Sequence, residues 1–126
     1  MATIRDHPTT VRMPENSAQW LELIRVLYEL LPQKYEPVYT FTSGDATPSV
    51  KGGRLFKTAG ATAITDFDDG VLGQMIIIRA TASITITDGA PIVLNGGVNY
   101  AMTDTDTLTL VMFDDQVWYE VARSVN

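Results

Sequence analysis

The chain has no cysteine, so disulfides and thiolate metal sites are excluded, as suits a reducing compartment. It has a single histidine, His7, set before Pro8 with no second ligand or base beside it. A Ser–His–Asp arrangement would have to draw that imidazole from a proline-bounded terminus, and none is expected. No apolar run approaches the roughly 20 residues of a membrane-spanning helix, and the start lacks the basic-then-apolar layout of a signal peptide. No membrane partner is expected. Basic residues are few: Lys51, Arg54, Lys57, Arg79 and Arg123 stand against nine acidic residues between Val50 and Asn126, in a chain of net charge −6. Five scattered cations make no phosphate-tracking stripe, which argues against nucleic acid. Glutamate is as sparse after Val50, where Glu120 stands alone. Glycoside cleavage needs two carboxyl groups facing across a cleft, and nothing singles out a partner for Glu120. No catalytic residue and no cofactor is expected.

What is abundant is short apolar runs at even spacing between Gly, Asp and Asn turns. Gln74 to Ala80, Ser83 to Thr87, Pro91 to Leu94, Val98 to Met102, Thr107 to Phe113 and Val117 to Ala122 each have strand length and β-branched or aromatic content. Arg54 to Thr58 and Ala61 to Thr65 are weaker candidates. A chain of 126 residues, 45% hydrophobic, is the size of one ordinary domain with an appendage. The expected fold is mainly β, a two-sheet antiparallel β-sandwich of jelly-roll-like form, preceded by an extended N-terminal arm and one α-helix.

The chain divides accordingly. Residues 1–16 carry Pro8 and Pro14 and no helical period, so they read as an arm that either hangs free or lies on a partner. Partner anchoring is assigned to Arg5, His7, Val11, Arg12 and Met13. Residues 17–31 form an amphipathic helix, capped by Asn16 or Ser17 and stopped by Pro32. Trp20, Leu23, Ile24, Leu27, Leu30 and Leu31 make one apolar stripe. A helix of this length is marginal alone, so the stripe packs either on its own β domain or on copies of itself. Residues 32–49 read as a linker with one edge strand near Val38 to Thr42, and residues 50–126 as the β module.

Two strands are apolar on both faces. In Gln74 to Ala80, Ile76 and Ile78 oppose Met75 and Ile77; in Thr107 to Phe113, Leu108, Leu110 and Met112 oppose Val111 and Phe113. A small two-layer domain has one inside, so the second face must meet a helix or another subunit. Self-association is assigned to Met75, Ile77, Val111 and Phe113 with the helix residues Trp20, Leu23, Ile24, Leu27 and Leu30. By contrast, Asp66 to Gly70 imitates a calcium loop but has Ile77 where the twelfth-position glutamate belongs, so no metal site is assigned. Asp104 to Asp106 and Asp114-Asp115 read as solvated turn charges.

Several short stretches taken together resemble a known family. Val50-Lys-Gly-Gly-Arg-Leu-Phe-Lys-Thr58, Ile64-Thr-Asp-Phe67, Gly70-Val-Leu-Gly-Gln-Met-Ile-Ile-Ile78, Leu94-Asn-Gly-Gly97, Thr107-Leu-Thr-Leu-Val111 and Val117-Trp-Tyr-Glu-Val-Ala-Arg-Ser124 occur in the order seen in a small β module of tailed-bacteriophage virion proteins. That module appears in tail fibres, tailspikes and head fibres or capsid decoration proteins. The resemblance implies a non-enzymatic virion structural protein made in the host cytoplasm. It implies a homotrimeric capsid decoration protein of cement or head-fibre type, with the arm and helix holding the major capsid protein or another virion protein. The alternative is a tail fibre or spike component, or a module recognising host-surface glycan by stacking on Trp118, Tyr119 or Tyr100. One departure is visible: members tend to carry an Asp-Gly type turn before the Val-Trp strand, where this chain has Asp114-Asp115-Gln116.

Overall fold

A computed structural model describes residues 16–30 and 35–126, in two units divided between Tyr35 and Glu36. Arg5, His7, Val11, Arg12 and Met13, to which anchoring is assigned, lie outside the described residues, as does Leu31.

In the first unit, helix α1 spans Ser17–Glu29. Asn16 has extended backbone and its side-chain oxygen accepts the Gln19 N–H at 2.9 Å, satisfying one of the orphan donors of the first turn. Glu22 and Arg25, a turn apart and both exposed, pair at 2.6 Å. No residue of α1 is buried, and Trp20, Ile24, Leu27 and Leu30 are exposed.

The second unit is β throughout: β1 Val38–Thr40, β2 Leu55–Lys57, β3 Met75–Arg79, β4 Ile84–Ile86, β5 Ile92–Val93, β6 Tyr100–Met102, β7 Thr107–Asp114 and β8 Val117–Ser124. Six strands form one sheet in the order β1-β2-β3-β7-β8-β5, and β4 pairs with β6 in a second. The mainly β, two-sheet architecture is as expected from the sequence. Its pairing is mixed, however, where antiparallel strands throughout were expected: β1–β2, β2–β3 and β5–β8 are parallel. The cause lies in the links. Residues 41–54 and 58–74 are each longer than the dozen or so that a parallel crossover needs, so the chain returns to the same end before pairing again.

Those links fill the core. Ala61 to Thr65 is no strand; Ile64 makes a single bridge to Ile86 and plugs the interior with its side chain. Only one residue in that stretch is large and apolar, so a ladder there would bury nothing further. The supposed linker also joins the β unit, because Phe41 is buried and β1 pairs with β2; the unit begins at Glu36 rather than at Val50. An aromatic file runs from the exposed Tyr39 inward to Phe56, Phe41, Phe67 and Trp118, with neighbouring ring centroids 5.0–6.0 Å apart. Each such contact adds about 0.5–1.5 kcal/mol beyond burial. Gly70 closes this file: an added Cβ would stand 2.5 Å from Cζ2 of Trp118 and 2.6 Å from Cε of Met112.

Candidate self-association surface

Side chains on a strand alternate between faces, so register across the six-stranded sheet defines rows on each side. On the inner side lie Phe56, Ile76, Ile78, Leu108, Leu110, Met112, Trp118 and Ile92, all buried in one core with Ile84, Ile86, Tyr100 and Met102 of the small sheet. On the outer side, Val38, Leu55, Ile77, Thr109 and Ala122 form one row across five strands. Met75, Val111, Tyr119 and Val93 form the next. None of these nine carries a charge. Charge returns in the flanking row of Thr40, Lys57, Arg79, Thr107 and Ser124, and Arg79 pairs with Asp104 at 3.4 Å.

Met75, 39% exposed, and Phe113, 63% exposed, open this face to solvent, while Ile77 and Val111 are half-buried. The Phe113 ring meets Tyr119 edge-on at 6.0 Å, and the Tyr119 hydroxyl donates to Asp114 at 2.6 Å. That bond to a carboxylate holds the phenol proton and raises the Tyr119 pKa. The structure thus brings Met75, Ile77, Val111 and Phe113 onto one surface. It adds Val38, Leu55, Val93 and Tyr119, which sequence reasoning missed. Val38 belongs to the edge strand expected near Val38 to Thr42, which β1 supplies at the sheet margin. Which strands it would join, and so which outward residues share its row, depends on pairings distant in the chain. Trp20, Leu23, Ile24, Leu27 and Leu30 lie on α1 in the other unit, where Leu23 is half-buried and the rest are exposed.

The remaining polar candidates are engaged in building turns. Asp66 accepts the N–H of Phe67 at 2.7 Å, Asp68 the hydroxyl of Thr47 at 3.2 Å, and Asp69 the hydroxyl of Ser49 at 2.5 Å. No group of three metal-ligating side chains converges among the described residues. Asp106 corrects the view of Asp104 to Asp106 as solvated: it is buried and accepts from the Thr103 N–H at 2.9 Å and the Asn126 N–H at 2.7 Å. Those two backbone donors hold its carboxyl below the usual range despite burial.

Glu120 is bound to Arg123 by two hydrogen bonds, at 2.5 and 2.7 Å, and also accepts the Asn95 N–H at 2.8 Å. Residues three apart in a regular strand point to opposite faces. Here Leu110 faces Glu120 and Thr109 faces Ala122, so Val121 is an extra, bulged residue that returns Glu120 and Arg123 to one side. The guanidinium keeps Glu120 well ionised and lies 3.8 Å above the Tyr100 ring. Of the three aromatic residues offered for sugar stacking, Trp118 and Tyr100 are buried and only Tyr119 reaches solvent.

The Asp114-Asp115-Gln116 turn is short, with Asp114 paired to Val117 and a register shift beside it. Gln116 takes positive φ, 58°, the conformation a glycine would fill without cost. Its side-chain amide donates to the carbonyl of Gly70 at 3.0 Å, tying the hairpin to the loop over Trp118.

Comparison with known proteins gives one family, described as the phage depolymerase C-terminal beta sandwich domain, which matches residues 40–119. No curated protein and no solved structure matches the chain.

Proposed function

Because the chain belongs to the phage depolymerase C-terminal beta sandwich family, a structural module of tailed-phage virion proteins of tailspike and fibre type, we propose that it acts as a non-catalytic virion component assembled as a homotrimer. In this reading the outer face of the six-stranded sheet packs against other copies. Residues 1–31 hold the major capsid protein or another virion protein, and the β unit decorates the capsid as a cement or head-fibre protein. The observation that carries self-association is the pair of uncharged rows spanning the sheet, from Val38 to Ala122 and from Met75 to Val93. An apolar, closely packed patch of this kind marks protein interfaces, and closed symmetry is the usual way of burying it. Three copies follow the likeness to fibre and spike modules.

A non-catalytic role fits the engagement of Glu120 by Arg123 and of Asp66, Asp68 and Asp69 by separate turn partners. Recognition of host-surface glycan has less support, since it keeps one half-exposed ring, Tyr119. Native mass measurement at micromolar concentration tests the assembly: a trimer is expected from the full chain and a monomer from Val111→Asp. A monomeric full chain overturns it. Imaging particles with and without the protein tests the address. Density lost from the capsid supports decoration, and density lost from the tail favours the fibre or spike role.

A further inference from the structure

We propose that Asn95–Gly96 is a self-modifying site at which this protein loses ammonia by intramolecular attack, gaining one negative charge per copy as it ages. The inference does not rest on the assembly reading. In the reaction the backbone nitrogen of Gly96 attacks Cγ of Asn95 and gives up its proton to solvent. The Cγ–Nδ2 bond breaks as the departing nitrogen takes a proton from solvent, ammonia leaves, and a five-membered succinimide remains. Water then opens the ring at either carbonyl, giving aspartate or its backbone-shifted isomer; no oxidant or cofactor is involved.

The chain contains four asparagines, and the structure separates them. Asn16 is engaged as the helix cap, accepting from Gln19. Asn99 accepts the Asp88 N–H at 2.9 Å, and Asn126 donates through its side-chain amide to the Thr105 carbonyl at 2.8 Å. Asn95 is exposed and its side chain makes no hydrogen bond among the described residues. It alone is followed by glycine, whose missing side chain leaves the attacking nitrogen unshielded. Gly96 has φ of 74° and lies exposed in the short 3-10 turn Asn95–Gly97. The chain's two Asp-Gly pairs are held instead: Asp69 by Ser49, and Asp88 by the N–H of Leu94 at 2.8 Å. A carboxylate is also a far poorer electrophile than an amide.

The new charge would arise beside one already present. The Asn95 N–H is bound by the Glu120 carboxylate at 2.8 Å, and Asn95 shares a shallow groove with Val93, Tyr119 and Val121 at the β5–β8 edge of the outer face. Conversion to the shifted isomer also lengthens the backbone of the turn that connects β5 to β6.

Incubation of the folded full chain in warm, mildly alkaline buffer, followed by peptide mass analysis, tests this. A gain of one dalton is expected in the Asn95 peptide at least about tenfold faster than at Asn16, Asn99 or Asn126, a barrier difference of about 1.4 kcal/mol. Two products of equal mass should separate chromatographically, and ammonia should be released in proportion. Gly96→Ala is expected to slow the gain. Should that variant fail to fold, Asn95→Gln, which alters one exposed side chain, is expected to abolish it. Comparable rates at the other asparagines overturn the proposal. So does an Asn95 that is stable in the folded chain and converts only after denaturation, because the fold would then protect the site.

Discussion

Leu110 and Val111 are adjacent in β7 and alike in chemistry, yet one is fully buried and the other half-exposed beside a row of uncharged neighbours. The same holds for Ile76 and Ile77 in β3. The inner face holds the fold together; the outer face carries apolar surface that the fold does not use. A sheet solvated on one side would alternate apolar with polar, as β4 does with Ile84, Thr85 and Ile86. The difference between β4, in the small sheet, and β3 and β7, in the large one, is the observation behind the proposed self-association.

The comparison is broken most strongly from the inside. Leu110→Ala removes packing that cannot re-form around Trp118 and Met112, and is expected to cost about 2–5 kcal/mol. Val111→Thr, one residue on, is expected to cost about 0.5–1 kcal/mol in protomer stability. Its larger effect should fall on assembly, seen as a loss of concentration dependence in the melting temperature. Urea unfolding at two protein concentrations separates the two outcomes. Equal losses from both substitutions would mean that the faces are energetically alike.

Gly70→Ala is the next largest. Gly70 has no positive φ, so the demand for glycine comes from space alone: a methyl group would be driven into the Trp118 ring and the Met112 methyl. Overpacking of this kind costs about 1–3 kcal/mol. Near-ultraviolet circular dichroism of Trp118 should change with it, whereas Gly73→Ala, where an added Cβ meets nothing within 4 Å, should leave that signal intact and lose only the backbone preference of its φ of 86°.

Acid is expected to act on the inner side as well. Asp106 is held below the usual carboxylate range by the N–H groups of Thr103 and Asn126, and Glu120 by hydrogen bonds from Arg123. Since both native values are depressed, the unfolded chain takes up protons first. The stability these groups supply is whole above the ordinary carboxylate pKa, about 4, and drains away as pH falls through the lower native values. The urea midpoint should be flat near neutrality and fall below about pH 4. Asp106→Asn should shrink that acid-dependent loss, and a midpoint that rises on acidification would contradict the assignment.

How far these faces could be read beforehand depended on which interactions are local. The period-2 pattern gave the strands from Met75 onward, the inward Ile84 and Ile86, and the two-faced character of β3 and β7. The start of the helix followed from the Asn16 cap, while its last turn closes at Glu29, earlier than the apolar stripe running to Leu31 suggested. Parallel pairing was not legible, because it depends on where links of more than a dozen residues cross. The burial of Phe41 and Asp106 was hidden for the same reason: each is fixed by partners far along the chain, Lys57 for the Phe41 backbone and Asn126 for the Asp106 carboxylate. The Glu120–Arg123 pair was obscured by the bulge at Val121, which strand alternation alone would have placed on opposite faces.

The smallest expected effect lies at the turn that keeps the two faces apart. A slip of one residue between β7 and β8 would exchange Trp118 with Tyr119 and turn the core residues outward, so the Asp115-Gln116 turn sets which residues belong to which face. Gln116 holds positive φ, which disfavours any side chain, and offsets that cost in part by donating to the Gly70 carbonyl. Gln116→Ala keeps the strained backbone and loses the bond; Gln116→Gly loses the same bond but releases the strain. The glycine variant should therefore exceed the alanine variant by about 1 kcal/mol, with the parent chain between them or level with glycine. Equal midpoints for the two variants would show that the φ of 58° costs nothing here.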